Sequence, residues 1–179
     1  MKYSYLIIVL LLSGCGFSGG SIPADHYYRL PEVATVAPVK SVTVKSVQAD
    51  GMYNERALLF VEKNKPLELQ RYNYHFWAQT PARMLQTYLQ TCLGGMEAGS
   101  AAANQSNIQL SPVIESFERI LENNQAQVVV RLRMNQRSYT QTVTAESMDM
   151  HATIAAYGFA MQKICAAVAQ DLSSDSSAH

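Results

Sequence analysis

The sequence predicts an α+β domain in two layers, a largely antiparallel sheet with two helices packed on one face. Three observations predict it. Valine- and threonine-rich stretches alternate apolar and polar residues between positions 39 and 145. Two later stretches carry apolar residues at three- and four-residue spacing, and short runs rich in Asn, Gly and Pro interrupt both patterns.

The chain begins with Lys2, an apolar run from Tyr5 to Leu12, and the small residues Ser13 and Gly14 before Cys15. A positive start, a short apolar core and small residues beside a cysteine describe a lipoprotein signal peptide over 1–14. The apolar run is too short for a spanning helix, which needs about 20 residues. Cleavage would leave Cys15 as the first residue, carrying acyl chains on its sulfur and amine. Each buried methylene contributes about 0.8 kcal/mol, so two or more chains anchor stably. Gly16 stands at the second mature position, where an aspartate would signal inner-membrane retention, so the expected location is the outer membrane, facing the periplasm.

Residues 15–25 then read as the lipidated cysteine and a flexible tether of Gly, Ser, Pro and Ala. The run His26 to Leu30 is a short aromatic strand stopped by Pro31. Val39 to Val47 alternates as a half-buried strand, Ala57 to Val61 suits a strand covered on both faces, and Leu67 and Leu69 alternate after a turn at Asn64 to Pro66. Thr80 caps a helix with Pro81 at its first position, and Met84, Leu85, Tyr88, Leu89 and Cys92 continue an apolar stripe as far as Gly94 and Gly95.

Met96 to Ser106 is a polar loop. Three strands follow, Ile108 to Leu121 with a break near Pro112, Ala126 to Met134, and Ser138 to Ala145, joined by Asn-rich turns into an antiparallel meander. Asp149 caps a second helix whose stripe is Ile154, Tyr157, Met161, Cys165, Val168 and Leu172. The expected domain therefore spans 26–172, with 173–179 as a disordered polar tail.

Fourteen basic and fourteen acidic side chains cancel, which argues against nucleic acid as a partner. With Cys15 lipidated, Cys92 and Cys165 remain as a pair in an oxidising compartment. They read either as a disulfide or as two small buried hydrophobes. No phosphate loop, Cys-x-x-Cys or histidine pair at ligand spacing occurs, so no cofactor, metal or catalytic residue is expected. His26, His75, His151 and His179 are scattered through a strand, a loop, a helix start and the tail, as polar surface residues.

The segment Arg71 to Pro81 places four aromatics before the first helix. These residues either wedge that helix onto the sheet or form a partner surface, with Tyr72, Tyr74, Trp77 and Pro81 as its candidates. A lipobox, an early Tyr28-Arg29-Leu30 strand and the run Tyr74-His75-Phe76-Trp77-Ala78-Gln79-Thr80-Pro81 before an amphipathic helix together resemble the ABC-type transport auxiliary lipoproteins, the PqiC-like group. The resemblance implies a periplasm-facing lipoprotein that works with an MCE-domain protein, sometimes with an ABC transporter, in moving lipids or other hydrophobic molecules between membranes. It carries over Cys15 as the lipidated residue, with Trp77 and Pro81 as matches to the motif at the helix start. On that basis the chain is a structural adaptor that docks the partner assembly at the outer membrane, alone or in a ring of its own copies. A lipoprotein activator of a cell-envelope enzyme such as a peptidoglycan synthase is the second reading, and a periplasmic hydrolase the third.

Overall fold

The computed structural model describes residues 23–33, 42–93 and 108–177. Cys15, the leader, most of the tether and the loop at 96–106 lie outside the described residues. In chain order the elements are β1 (His26–Tyr28), β2 (Val42–Val44), a 3-10 turn (Gly51–Asn54), β3 (Ala57–Glu62), β4 (Gln70–Trp77), α1 (Pro81–Leu93), β5 (Ile108–Leu110), β6 (Pro112–Glu122), β7 (Gln125–Met134), β8 (Arg137–Thr144) and α2 (Met150–Ser177). The α+β class holds.

Six strands form one sheet in the order β1-β4-β3-β6-β7-β8, and β2 pairs with β5 in a small second sheet. The large sheet is mixed. The pairs β3–β4, β6–β7 and β7–β8 are antiparallel, as their short turns dictate, while β1–β4 and β3–β6 are parallel. Both parallel pairs join strands distant in sequence, so no local turn signal marks them. The turns of the meander depend on asparagine, since Asn123, Asn124 and Asn135 adopt φ of 42°, 67° and 56°, a region that Asn tolerates better than most residues.

Alternation decides the buried face. Val128, Val130, Leu132 and Met134 of β7 are buried, while Arg131 and Arg133 are exposed. Helix α2 lies across β7 and β8 and buries Ile154, Tyr157, Met161, Cys165 and Val168, the stripe read from the sequence. The stripe of α1, from Pro81 to Leu93, enters the same core. Trp77, Phe117 and Tyr157 meet at its centre, with ring centroids 4.7 to 5.2 Å apart. Tyr157 is wholly enclosed, and that burial pushes its hydroxyl far above its usual pKa. Cys92 and Cys165 are bonded, Cα to Cα 6.2 Å, tying α1 to α2.

By length and composition the stretch Met150–Ser174 could cross a membrane, yet 56% of its most apolar 18-residue window is buried inside the domain. Most of its apolar side chains are committed to the core, while Phe159 is 54% exposed.

Three expectations need correction. Leu67 and Leu69 begin no strand, because Lys65 N–H donates to Glu62 O (2.8 Å) and Glu68 N–H to Lys65 O (3.0 Å), curling the chain so that Leu67 stands fully exposed before β4 starts at Gln70. The break expected near Pro112 is present, at Ser111, and the two halves of the stretch from Ile108 enter different sheets. Proline is tolerated as a first strand residue.

The aromatic run, read as a segment preceding the helix with His75 in a loop, forms strand β4 itself. Finally, residues 173–177 of the expected tail continue α2, where Ser173 and Ser174 hydroxyls donate to the Ala169 and Gln170 carbonyls (2.7 and 3.0 Å) and Leu172 packs against the core. The docked preceding turn thus carries the helix onward despite the polar composition.

After β1 the chain runs as a strap, Arg29 to Val33, over the two helices. Pro31 rests against Gly158 of α2, where an added Cβ would meet Pro31 Cγ at 2.7 Å. A glycine in the middle of a helix ordinarily weakens it. Here it lets the strap lie flat.

Candidate functional site

The aromatic-rich end of the large sheet, where β1 joins β4, holds the most unusual chemistry. The parallel register sets His26 beside His75, Tyr27 beside Phe76 and Tyr28 beside Trp77. A strand's side chains alternate between faces, so this short pairing sorts the aromatics into two sets.

The inner set gathers His75, Tyr28, His26, Tyr72 and His151. The Tyr28 hydroxyl and His75 Nδ1 share a hydrogen bond of 2.9 Å, and the His26 ring stacks on His75 with centroids 5.3 Å apart. Tyr72 meets His75 edge-on at 5.4 Å, and His151, in the first turn of α2, approaches Tyr28 at 6.1 Å. Burial, then the nearby charges of His26 and Arg119, hold the His75 pKa below its ordinary value of 6.5. That environment favours the neutral ring, which packs as an aromatic.

Beneath this set lies Arg119, 5% exposed. Its guanidinium donates to the Tyr72 hydroxyl (2.9 Å) and to the Met148 carbonyl (2.5 Å), fastening the approach to α2 onto the sheet. Among the described residues no ion pair joins it, and its buried Nε has no partner. On the next strand position, Glu118 accepts from the Tyr53 hydroxyl at 2.9 Å. Burial raises the Glu118 pKa, and burial followed by the Glu118 charge pushes Tyr53 up to about 12.

The outer set is open to solvent. Tyr27, 55% exposed, stacks on Phe76 with centroids 5.6 Å apart, and the Arg56 guanidinium sits 5.2 Å from the Tyr27 ring. Arg56 Nε also donates to Trp77 O at 3.0 Å, which fixes the cation in place. Arg71 pairs with Glu55 at 3.3 Å, and a shallow hollow of about 330 Å³ lies between these side chains and Phe76. Tyr74 is 39% exposed. Aromatics and arginine with a polar rim are the composition enriched in protein interfaces. Chemically, this patch suits docking.

The structure divides the residues that sequence reasoning grouped as one partner surface. Tyr74 is exposed, Tyr72 is half-buried with its hydroxyl bonded to Arg119, and Trp77 and Pro81 are buried in the core. Pro81 opens α1 on its buried stripe, and Trp77 is on the inward side of β4, so these two are structural. Tyr27, Phe76 and Arg56 were missed as a patch. Alternation along His26-Tyr27-Tyr28 marks Tyr27 as facing away from its neighbours, but only the nonlocal β1–β4 pairing brings it to Phe76. Three of the histidines, scattered in sequence, converge here, although among the described residues no group of three His, Cys, Asp or Glu side chains could hold a metal ion.

No family model and no curated protein matches the chain. Among the crystal structures similar to it are two of low sequence identity. One, of an uncharacterized protein, has a TM-score of 0.61 and 12% identity, covering 84% of this chain and 99% of its own. The other, of protein XCC0632 from Xanthomonas campestris, family DUF330, has a TM-score of 0.57 and 18% identity, covering 80% of this chain and 92% of its own. The likeness establishes the fold. At these identities it extends no further.

Proposed function

We propose that the chain is an envelope lipoprotein, a non-catalytic auxiliary component of an MCE/ABC-type intermembrane lipid transport system that docks the partner assembly at the outer membrane. One observation carries the reading: a complete lipobox ending at Cys15 stands ten residues of tether before a folded domain whose first strand contributes to an exposed aromatic and arginine patch. Extended, those ten residues reach at most about 35 Å. The anchor would hold the patch close to the membrane, where the end of a bridging assembly would meet it. The resemblance of the Tyr74 to Leu85 stretch to the PqiC-like lipoproteins supports an MCE-domain protein as that partner, and the fold shared with the DUF330 protein is compatible with it.

Affinity purification of the full chain from membranes in mild detergent tests the proposal. The expected result is recovery of an MCE-domain protein, with at least a tenfold loss when Tyr27→Ala and Tyr74→Ala are combined, since truncating interface hot spots costs about 2 kcal/mol or more. Repeated failure to recover an MCE partner contradicts it. Recovery of a peptidoglycan synthase instead would transfer the role to enzyme activation.

A further inference from the structure

A second feature, separate from the aromatic patch, lies on the helical side of the domain. Between the strap and α1 runs a cleft of about 440 Å³, within the roughly 300 to 1,000 Å³ typical of small-molecule sites. Leu30, Pro31 and Val33 form one wall, and Met84 and Tyr88 of α1 the other. Thr87 and Thr91 also line it, but their hydroxyls donate to the Arg83 and Thr87 carbonyls of their own helix (3.2 and 2.9 Å), so those donors are already satisfied. Ala78 and Gln79 add to the lining, whose apolar side chains favour hydrocarbon.

The charges are on the strap. Arg29 and Glu32 both line the cleft and are exposed, and among the described residues neither forms an ion pair, with the other or with any third group. A ligand with only an anionic head would satisfy Arg29 and be repelled by Glu32; one with only a cationic head would meet the reverse. A head carrying both charges matches both. Volume limits the apolar part. At about 440 Å³ the cleft is near the small end of the range for small-molecule sites, and Arg29 and Glu32 occupy part of its lining, so one chain suits it better than two.

We infer that this cleft binds a single-chain amphiphile with a zwitterionic head of the lysophosphatidylethanolamine type, phosphate on Arg29 and ammonium on Glu32. The supply of such a molecule rests on the lipid-anchored reading. Arg29 is fourteen residues from Cys15, so a tether of at most about 50 Å keeps the cleft within reach of a bilayer.

The test uses the full chain in phosphatidylcholine nanodiscs, with a lysophosphatidylethanolamine bearing a photoreactive group on its acyl chain. After irradiation and digestion, adducts are expected on residues 30–33 and 84–91. Their yield should fall at least tenfold in the combined Arg29→Gln and Glu32→Gln variant, which changes only exposed side chains, and in Met84→Trp, which fills the cleft. Adducts spread evenly over the surface, or a yield unaffected by removing both charges, would overturn the inference. The same digest reports the amino-terminal peptide, so an unmodified Cys15 alongside cleft adducts would refute the anchor and leave the cleft assignment standing, whereas an acylated Cys15 without cleft adducts would refute only the cleft.

Discussion

Replacing both Cys92 and Cys165 by alanine is expected to lower the stability of the domain by about 4 kcal/mol. The bond closes a sequence separation of 73 residues, from α1 to α2. In the chain-entropy model, a loop of that length restrains the unfolded ensemble by about 4 kcal/mol at 25 °C. Whole domains are stable by roughly 5 to 15 kcal/mol, so this is a large share. Within the loop lie all of β5 to β8, including the meander that supplies half of the large sheet. Urea denaturation of the oxidised chain and of the double variant measures the effect. An unchanged midpoint, or two free thiols in the unfolded, unreduced protein, would contradict it.

Gly158→Ala is expected to cost about 1 to 3 kcal/mol, the range for inserting a methyl group where packing leaves no room. The sign is the informative part. Glycine inside a helix is ordinarily about 1 kcal/mol worse than alanine, so the same substitution at an unobstructed helix position would stabilise. At 158 the new Cβ meets the Pro31 ring at 2.7, 3.0 and 3.3 Å. Either the strap lifts or the helix shifts, and both disturb the contacts of Leu30 and Val33 with the core. If Pro31 is the cause, introducing Gly158→Ala into a Pro31→Ala background removes the penalty. A thermal denaturation cycle of the four proteins decides the matter, and a Gly158→Ala protein more stable than its parent would show that the strap does not press on the helix.

The parts of the fold that sequence conveyed are those governed by local spacing. The stripe Met84, Leu85, Tyr88, Leu89, Cys92 faces the core because residues three and four apart share a helix face. Val128, Val130 and Leu132 are buried for the equivalent reason in a strand. The Asn123-Asn124 and Asn135 turns were visible in their chemistry. What stayed hidden depends on distant pairing. Nothing in His26-Tyr27-Tyr28 indicates that it runs parallel to β4, and nothing in Ala57 to Glu62 marks Arg119 to Leu121 as its neighbour.

The candidate docking patch shares that limitation. An aromatic run was evident from Tyr72 to Trp77, but its division into a buried Trp77, a half-buried Tyr72 and an exposed Tyr74 follows from the placement of β4 between β1 and β3 and from the register shift in its pairing with β3. Arg119 was similarly obscured. On the alternation of β6 it falls on the inward side near the sheet's core, and only the Tyr72 hydroxyl and the Met148 carbonyl, brought from elsewhere, explain how a guanidinium is accommodated there.

Attachment to the envelope through Cys15 underlies the proposed role, and mass spectrometry of the chain extracted from its native membrane measures it directly. The predicted product begins at Cys15 and carries a diacylglyceryl group on sulfur, with a further acyl chain where the amine is modified. A product that retains residues 1–14, or one whose first residue lies beyond Cys15 and bears no lipid, would contradict the anchor and the adaptor function that depends on it.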